Sequence, residues 1–222
     1  MCLAPPRPSL NLALTPILGT KWLLPRLPEF YERHPDLSLH ISTRIGKFDL
    51  VKSGIDAFLT DSDSPWPGVD AHPLMDARMI LVASPTLLAK RPLASPTDLY
   101  HHTLLQAVPT PLGWHKCFEM NGLDSRRLRQ GPTFEMASHL IQATTAGMGV
   151  TMISDIFVQS ELTEGSLVRV EIAGFKTLTK RFYLMHASES RDLPALVALR
   201  EWIIGNVSGG HAPDGPALNP SV

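Results

Sequence analysis

The 222-residue sequence predicts an α/β fold, and three observations lead there. Leu10, Leu12 and Leu14 alternate with Asn11 and Ala13, and Leu37, Leu39, Ile41 and Thr43 alternate with Ser38, His40 and Ser42, the period of two that marks a strand. Between these runs, residues 21–33 have helical spacing, and a short helix at 48–52 leads through Gly54 to a third strand at 55–59. An order β-α-β-α-β joins parallel neighbours through right-handed crossovers. The third observation is the stretch FEMASHLIQATTAGMGVTMISD at 134–155, which reads as a strand end, a nine-residue helix, Gly-x-Gly and an apolar strand.

In chain order, residues 1–9 carry three prolines and read as a linker remnant. Thr15-Pro16 closes the first strand, because proline lacks a donor and restricts the residue before it, and 15–20 is expected as a loop. Pro25 and Pro28 conflict with a helix over 21–33, since an interior proline costs about 3 kcal/mol. Pro25 suits a first turn and Pro28 a bend. Residues 61–68 form a turn-rich loop, followed by two strands at 69–75 and 78–84. Beyond Ser84 come a helix from Pro85, a short helix near Pro96, a strand at 103–107, a Pro- and Gly-rich loop and an amphipathic segment at 114–120.

In the 134–155 stretch, Ser138 stands where a helix N-cap belongs, and Leu140, Ile141, Thr144 and Thr145 follow at helical spacing. Gly147 suits the left-handed residue that closes a helix, and Gly149 a close approach of helix and strand. A helix at 155–162 stopped by Gly165, a strand at 167–172, a returning strand at 181–186 and a last helix at 193–204 complete the chain. Residues 208–222 have little apolar content and are expected to be disordered.

Composition narrows the function. Hydrophobic residues make up 44% and charged residues 18%, and a net charge of −1 supplies no basic footprint for nucleic acid. Two cysteines, Cys2 and Cys117, cannot build a disulfide framework, which suits a reducing compartment. The opening MCLAPPRPSLNL has neither a basic nor an apolar signal region, and no apolar run approaches the roughly 18 residues of a membrane span. A cytoplasmic location is expected.

Catalytic signatures are missing: there is no G-x-S-x-G, Walker A, complete G-x-G-x-x-G or H-E-x-x-H. Gly147-Met148-Gly149 follows a helix instead of preceding one, so a helix cap explains it better than a nucleotide loop. His101-His102 and His115-x-Cys117 lack a second ligand pair at finger-like spacing, and Asp61-x-Asp63 sits among turn residues. No catalytic residue, metal ligand or cofactor is nominated.

Five segments together resemble the effector-binding domain of LysR-type transcriptional regulators, in particular the branch of the glycine-cleavage activator and the beta-lactamase regulators. They are Trp22-Leu23-Leu24-Pro25-Arg26-Leu27 with His34-Pro35; Asp56-Ala57-Phe58-Leu59 with Trp66-Pro67-Gly68; Leu81-Val82-Ala83-Ser84-Pro85; residues 134–155; and Phe182-Tyr183-Leu184 running into Pro194 and Trp202-Ile203. The likeness covers about residues 9–207. It implies a two-lobe, type 2 periplasmic-binding-protein-like fold, each lobe a mixed, mostly parallel sheet flanked by helices. Lobe I would comprise 10–83 and 182–207, and lobe II 84–181. The resemblance further implies small-molecule sensing by a homodimer, with DNA contacted only through an N-terminal helix-turn-helix that this chain lacks. A solute-binding protein of a transporter is the alternative on the same fold.

In such a fold the ligand lies outside the carboxyl ends of the strands. Thr15, Thr20, Thr43, Arg44, Thr60, Met136, Ala137 and Ser138 are therefore the expected ligand-binding residues; of Phe182 and Tyr183 on the connecting strand one should face inward, Tyr183 being the nominated one, and Thr103 is a further candidate. Thr15 and Ser138 also match family positions near bound effectors. One departure stands out: the branch pattern ends the third strand in arginine, and here Thr60 takes that place. A hydroxyl replaces a bidentate cationic fork, so hydroxyls and backbone N–H groups are expected to dominate the pocket, with Arg44 as the possible replacement cation.

Overall fold

The first strand, β1 (Ser9–Leu14), is buried at Leu10, Leu12, Ala13 and Leu14, and with Ala13 on the face opposite the leucines it needs cover on both faces. The computed structural model describes residues 8–62, 66–108 and 113–208; the expected linker before Pro8, Cys2, Asp63, the loop at 109–112 and the tail from residue 209 lie outside the described residues. Cover on one face comes from helical residues that begin immediately. Where a loop was expected at 15–20, Pro16–Leu18 already forms α1, followed by a π turn (Gly19–Leu23), a 3-10 turn (Leu24–Arg26) and α2 (Leu27–Arg33). The expected conflict of prolines with a helix resolves in the same way: Pro16, Pro25 and Pro28 each sit in the first two positions of a new turn, where the missing N–H has no partner to lose. Gly19 presses on β1, since a Cβ there would lie 2.3 Å from Leu14 Cδ1.

After β2 (Ser38–Thr43) and a 3-10 turn (Val51–Ser53), β3 (Ala57–Asp61) enters beside β1. Both β2 and β3 run parallel to β1, as the crossover order requires. The expected strands at 69–75 and 78–84 are one strand, β4 (Asp70–Ala83), whose register slips between Pro73 and Met75. Proline is tolerated there because a bulge needs no ladder donor. Then come α3 (Pro85–Lys90), a 3-10 turn (Pro96–His101), β5 (Leu104–Ala107), α4 (Gly113–Met120), β6 (Gln130–Phe134), α5 (Ala137–Thr145) and β7 (Val150–Ser154). A 3-10 turn (Asp155–Phe157) and α6 (Gln159–Thr163) replace the single helix expected at 155–162, and of the strand expected at 167–172 only β8 (Val168–Arg169) pairs. The chain closes with β9 (Thr179–His186) and α7 (Pro194–Ser208).

Hydrogen bonding orders the strands β2-β1-β3-β9-β4-β7-β5-β6, with β8 on β4. Pairs β1–β2, β1–β3, β5–β6 and β5–β7 are parallel; β9 and β4 run antiparallel to their neighbours between them. One strand thus links the two halves of the path: β4 lies on β9 from Asp70 to Arg78 and on β7 from Met79 to Val82. The largest core is continuous across that link, joining Leu12, Leu18, Trp22 and Phe30 to Trp202 of α7 and to Phe157 and Val158 beyond β7. A second core, around Leu99, Leu104, Trp114 and Phe118, stays within the later half.

Candidate ligand-binding site

A cavity of about 380 Å³ opens where the parallel strands end. Thr15 follows β1, Thr60 and Asp61 finish β3, Ala107 ends β5 and Val108 follows it, Glu135 and Met136 follow β6, and Ser154 ends β7. The antiparallel β9 brings its beginning, Lys180 and Phe182, to the same place. The strand-end rule used on the sequence therefore locates the cavity, though often a residue or two from the positions it nominated.

Of the expected residues, Thr15, Thr60, Met136 and Ala137 line this cavity; Thr20, Thr43, Arg44, Thr103, Ser138 and Tyr183 do not. Thr20 lies on the helical segment and turns its hydroxyl back onto the Pro16 carbonyl at 3.1 Å. Thr43 and Arg44 are exposed, Arg44 donating to the Thr43 carbonyl at 2.9 Å, and the chain reaches the cavity only with Ile45–Lys47. Thr103 faces β6, where its methyl group would stand 2.5 Å from a Cβ on Gly131. Tyr183 is 8% exposed and packs with Ala13, Phe58 and Met185 on the opposite face of β9. Its neighbour Phe182 is the one that faces inward, edge-on to Phe157 at 5.8 Å.

Ser138 is not the N-cap. That position belongs to Met136, in extended conformation (φ −112°, ψ 130°), and no side chain caps the helix. The helix starts earlier than the serine suggested, because β6 ends at Phe134 and the chain turns within two residues. The His139 and Leu140 amides return to the Met136 carbonyl, and the amides of Ala137 and Ser138 are first-turn donors, of which Ala137 lines the cavity. At the other end, Gly147 (φ +81°) closes the helix as expected, with Met148 N–H donating to the Ala143 carbonyl and Gly147 N–H to that of Thr144. The close approach at Gly149 is to the neighbouring backbone: an added Cβ would lie 2.3 Å from the Thr103 carbonyl oxygen.

The cavity has two unlike sides. On the side of β1, β3 and β9, Lys180 Nζ donates to Asp61 Oδ2 at 2.6 Å, with side chains 23% and 31% exposed. The Thr60 hydroxyl donates to the Asp61 carbonyl at 3.1 Å. The Thr15 hydroxyl is buried and has no hydrogen-bond partner among the described residues, although its backbone N–H reaches the Leu59 carbonyl at 3.2 Å. On the side of β4, β5, β7, α4 and α5 the lining includes Met79, Leu105, Trp114, Leu140 and Met152. Two polar groups on that side are spent inward. Trp114 Nε1 and the Thr151 hydroxyl both donate to the Leu105 carbonyl, at 2.9 and 3.2 Å.

Lys180, Lys47 and Glu135 escaped the sequence reading. An isolated lysine or glutamate has no local signature, and Lys180 reaches the cavity only because β9 runs antiparallel beside β3. The lining holds no histidine, and among the described residues no three His, Cys, Asp or Glu side chains gather for a metal. Cys117 is fully buried in α4, and burial pushes its thiol up to about 11, far from a reactive thiolate. No helix of the described residues is long and apolar enough to cross a membrane.

This architecture can be compared with known proteins. The sequence model of the LysR substrate binding domain matches residues 4–208. The chain belongs to that family. It is 28% identical over 201 residues to the glycine cleavage system transcriptional activator of Escherichia coli K12, covering 90% of this chain and 65% of the activator. To the regulator TrpI of Pseudomonas aeruginosa it is 31% identical over 195 residues, or 86% of this chain and 65% of TrpI. The chain thus spans a little under two thirds of the length of these LysR relatives, which are transcriptional regulators by name. The solved effector domain of AmpR from P. aeruginosa superposes with a TM-score of 0.79 at 26% identity, covering 91% of this chain and 96% of that one. The CrgA regulatory domain of Neisseria meningitidis matches the fold equally well, with a TM-score of 0.79 at 22% identity over 91% of this chain and 100% of that chain.

Proposed function

We propose that this chain is the effector-sensing part of a LysR-type transcriptional regulator, and that a small molecule binds in the cavity at the strand ends. The observation that carries this reading is the cavity itself, whose wall combines the Thr15 hydroxyl, buried and without a hydrogen-bond partner among the described residues, with the first-turn amide of Ala137. Buried polar groups are normally satisfied, so a ligand oxygen or nitrogen is the natural partner for Thr15. The division into 10–83 with 182–207 and 84–181 belongs to the same proposal. It is supported by β9 lying against β3, while β5 and β6 pair only with each other and with β7. A ligand touching both sides of the cavity favours whichever arrangement lets it touch both, and so shifts a population.

Homodimer formation and a cytoplasmic location complete the proposal. Leu24 and Tyr31 on the first helical segment are 46% and 36% exposed, apolar surface that a second copy would cover. The net charge of −1 supports a domain that reads a metabolite and leaves DNA to another part of the regulator.

A thermal-shift screen of metabolites tests the function. A binder is expected to raise the melting temperature of the wild type and to lose that effect in Ala137→Trp, which fills the cavity. A library in which no stabilising compound depends on the cavity would overturn the assignment. Sedimentation at tens of micromolar tests the dimer, with Leu24→Glu as the disrupting variant.

A further inference from the structure

The charges lining the cavity balance. Among the described residues the lining holds Lys47 and Lys180 with Asp61 and Glu135, two cations and two anions, and one pair is already joined, Lys180 to Asp61 at 2.6 Å. A ligand with a single carboxylate can take Lys180 only by leaving Asp61 without its counter-ion and beside a second negative charge. A ligand with a single ammonium does the reverse to Lys180. Both replace a satisfied, partly buried pair by an unsatisfied one.

A zwitterion avoids this. Its carboxylate takes Lys180 and its ammonium takes Asp61, so one ion pair becomes two and the charge of the site stays balanced. Across the cavity Leu105, Leu140 and Met152 offer apolar surface, and the two other lining charges, Lys47 and Glu135, are one cation and one anion, so they favour neither sign. Resting on the proposed function, we infer that the effector is an α-amino acid with a large apolar side chain, its charged head inserted between Asp61 and Lys180. The Thr15 hydroxyl, on the same side and without a partner, is the added contact for the carboxylate.

Calorimetry with matched probes tests this. L-leucine, L-methionine, L-phenylalanine and L-tryptophan are titrated into the purified chain, and the tightest binder is compared with its desamino acid, its decarboxylated amine and its amide. The zwitterion is expected to bind at least tenfold tighter than each of the three. Asp61→Asn is expected to erase the advantage over the desamino acid, and Lys180→Met the advantage over the amine and the amide. Circular dichroism of each variant checks that it folds, and the opposite selectivity of the two substitutions separates recognition from general damage. A desamino acid that binds the wild type as tightly as the amino acid overturns the inference, as does failure of all four amino acids to bind. A screened compound that is not a zwitterion, yet loses binding in Ala137→Trp, overturns the ligand class and leaves the cavity's function standing. Absence of any cavity-dependent binder overturns both.

Discussion

The two sides of the cavity are built by different physics. The side of β4, β5, β7 and α5 is packed: Trp114 is 2% exposed, Leu105 0% and Leu140 2%, and their polar neighbours bond inward to the backbone. The side of β1, β3 and β9 is poised: it holds a partly buried ion pair and a hydroxyl with no partner among the described residues. Packing of the first kind resists change, because removing atoms leaves a void that neighbours only partly fill. Polar groups of the second kind contribute less to stability, and in the proposed function they are the ones that meet the ligand. The contrast teaches that stability and recognition are separable here, and substitutions on the two sides should fall into different classes.

The largest expected difference is between Trp114→Ala and Lys180→Met. The first deletes a buried ring and orphans half of what the Leu105 carbonyl accepts, and should cost about 3–5 kcal/mol in urea denaturation. The second breaks a pair exposed enough for solvent to screen it, and should cost under about 1 kcal/mol. Equal losses would mean that the ion pair is a structural strut and would remove the contrast. Next in size is Gly149→Ala. A Cβ there meets the Thr103 carbonyl oxygen at 2.3 Å, and relieving that overlap moves β7 against β5. About 1–3 kcal/mol should be lost, with the affinity for ligands of the charged side little altered.

The same contrast explains what could be read from the sequence. Strand alternation, the crossover order and the Gly147 cap are local patterns, and they specify β1, β2, β3 and α5 closely. The rule that ligands sit at strand ends then finds Thr15, Thr60, Met136 and Ala137. Side-chain direction is not local. Tyr183 and Phe182 alternate on β9, and which of them faces the cavity depends on the register with β3, where Phe182 lies opposite Asp61. Ser138 is a good N-cap residue, but the turn after β6 starts the helix before it. Arg44 resembled a replacement for the missing arginine, whereas Lys180, 120 positions beyond Thr60 in the chain and brought near by strand pairing, supplies the cation at the cavity. The cavity thus has a cation although position 60 is threonine, by a route that residue spacing does not reveal.

A smaller effect is expected from pH, and it arises in the half of the sheet that bears the poised side. His72 on β4 and the fully buried His186 on β9 stack with Nε2 atoms 2.9 Å apart. His186 Nδ1 donates to the Ala187 carbonyl at 2.8 Å, so in the neutral ring its Nε2 accepts and His72 donates. Burial holds His72 below its ordinary value of 6.5, with His186, Arg200 and Arg191 acting in the same direction and Asp70 opposing them. The unfolded chain then binds the proton more readily. Stability from this group is complete above about 6.5 and is lost as pH falls through the lowered folded value. Denaturation midpoints at pH 7.5 and 5.5 should therefore differ more in the wild type than in His72→Gln. An equal drop in both would assign the acid sensitivity to other groups.

The smallest effect on stability should come from Thr15→Val, and it is the sharpest probe of the poised side. The hydroxyl has given up water without gaining a partner, a state that costs about 1–3 kcal/mol when a buried group is left so. Valine keeps the shape and the branched Cβ, and leaves intact the backbone bond from Thr15 to the Leu59 carbonyl. The variant should match the wild type in urea or exceed it by up to about 1 kcal/mol, whereas most buried substitutions destabilise. Effector affinity should move the other way, falling about fivefold to tenfold for the loss of one hydrogen bond of roughly 1 kcal/mol or slightly more. A residue whose removal stabilises the empty protein and weakens the complex is held in the chain for the ligand. If Thr15→Val instead loses stability and leaves affinity unchanged, the hydroxyl serves the fold, and the poised side reduces to Asp61 and Lys180 alone.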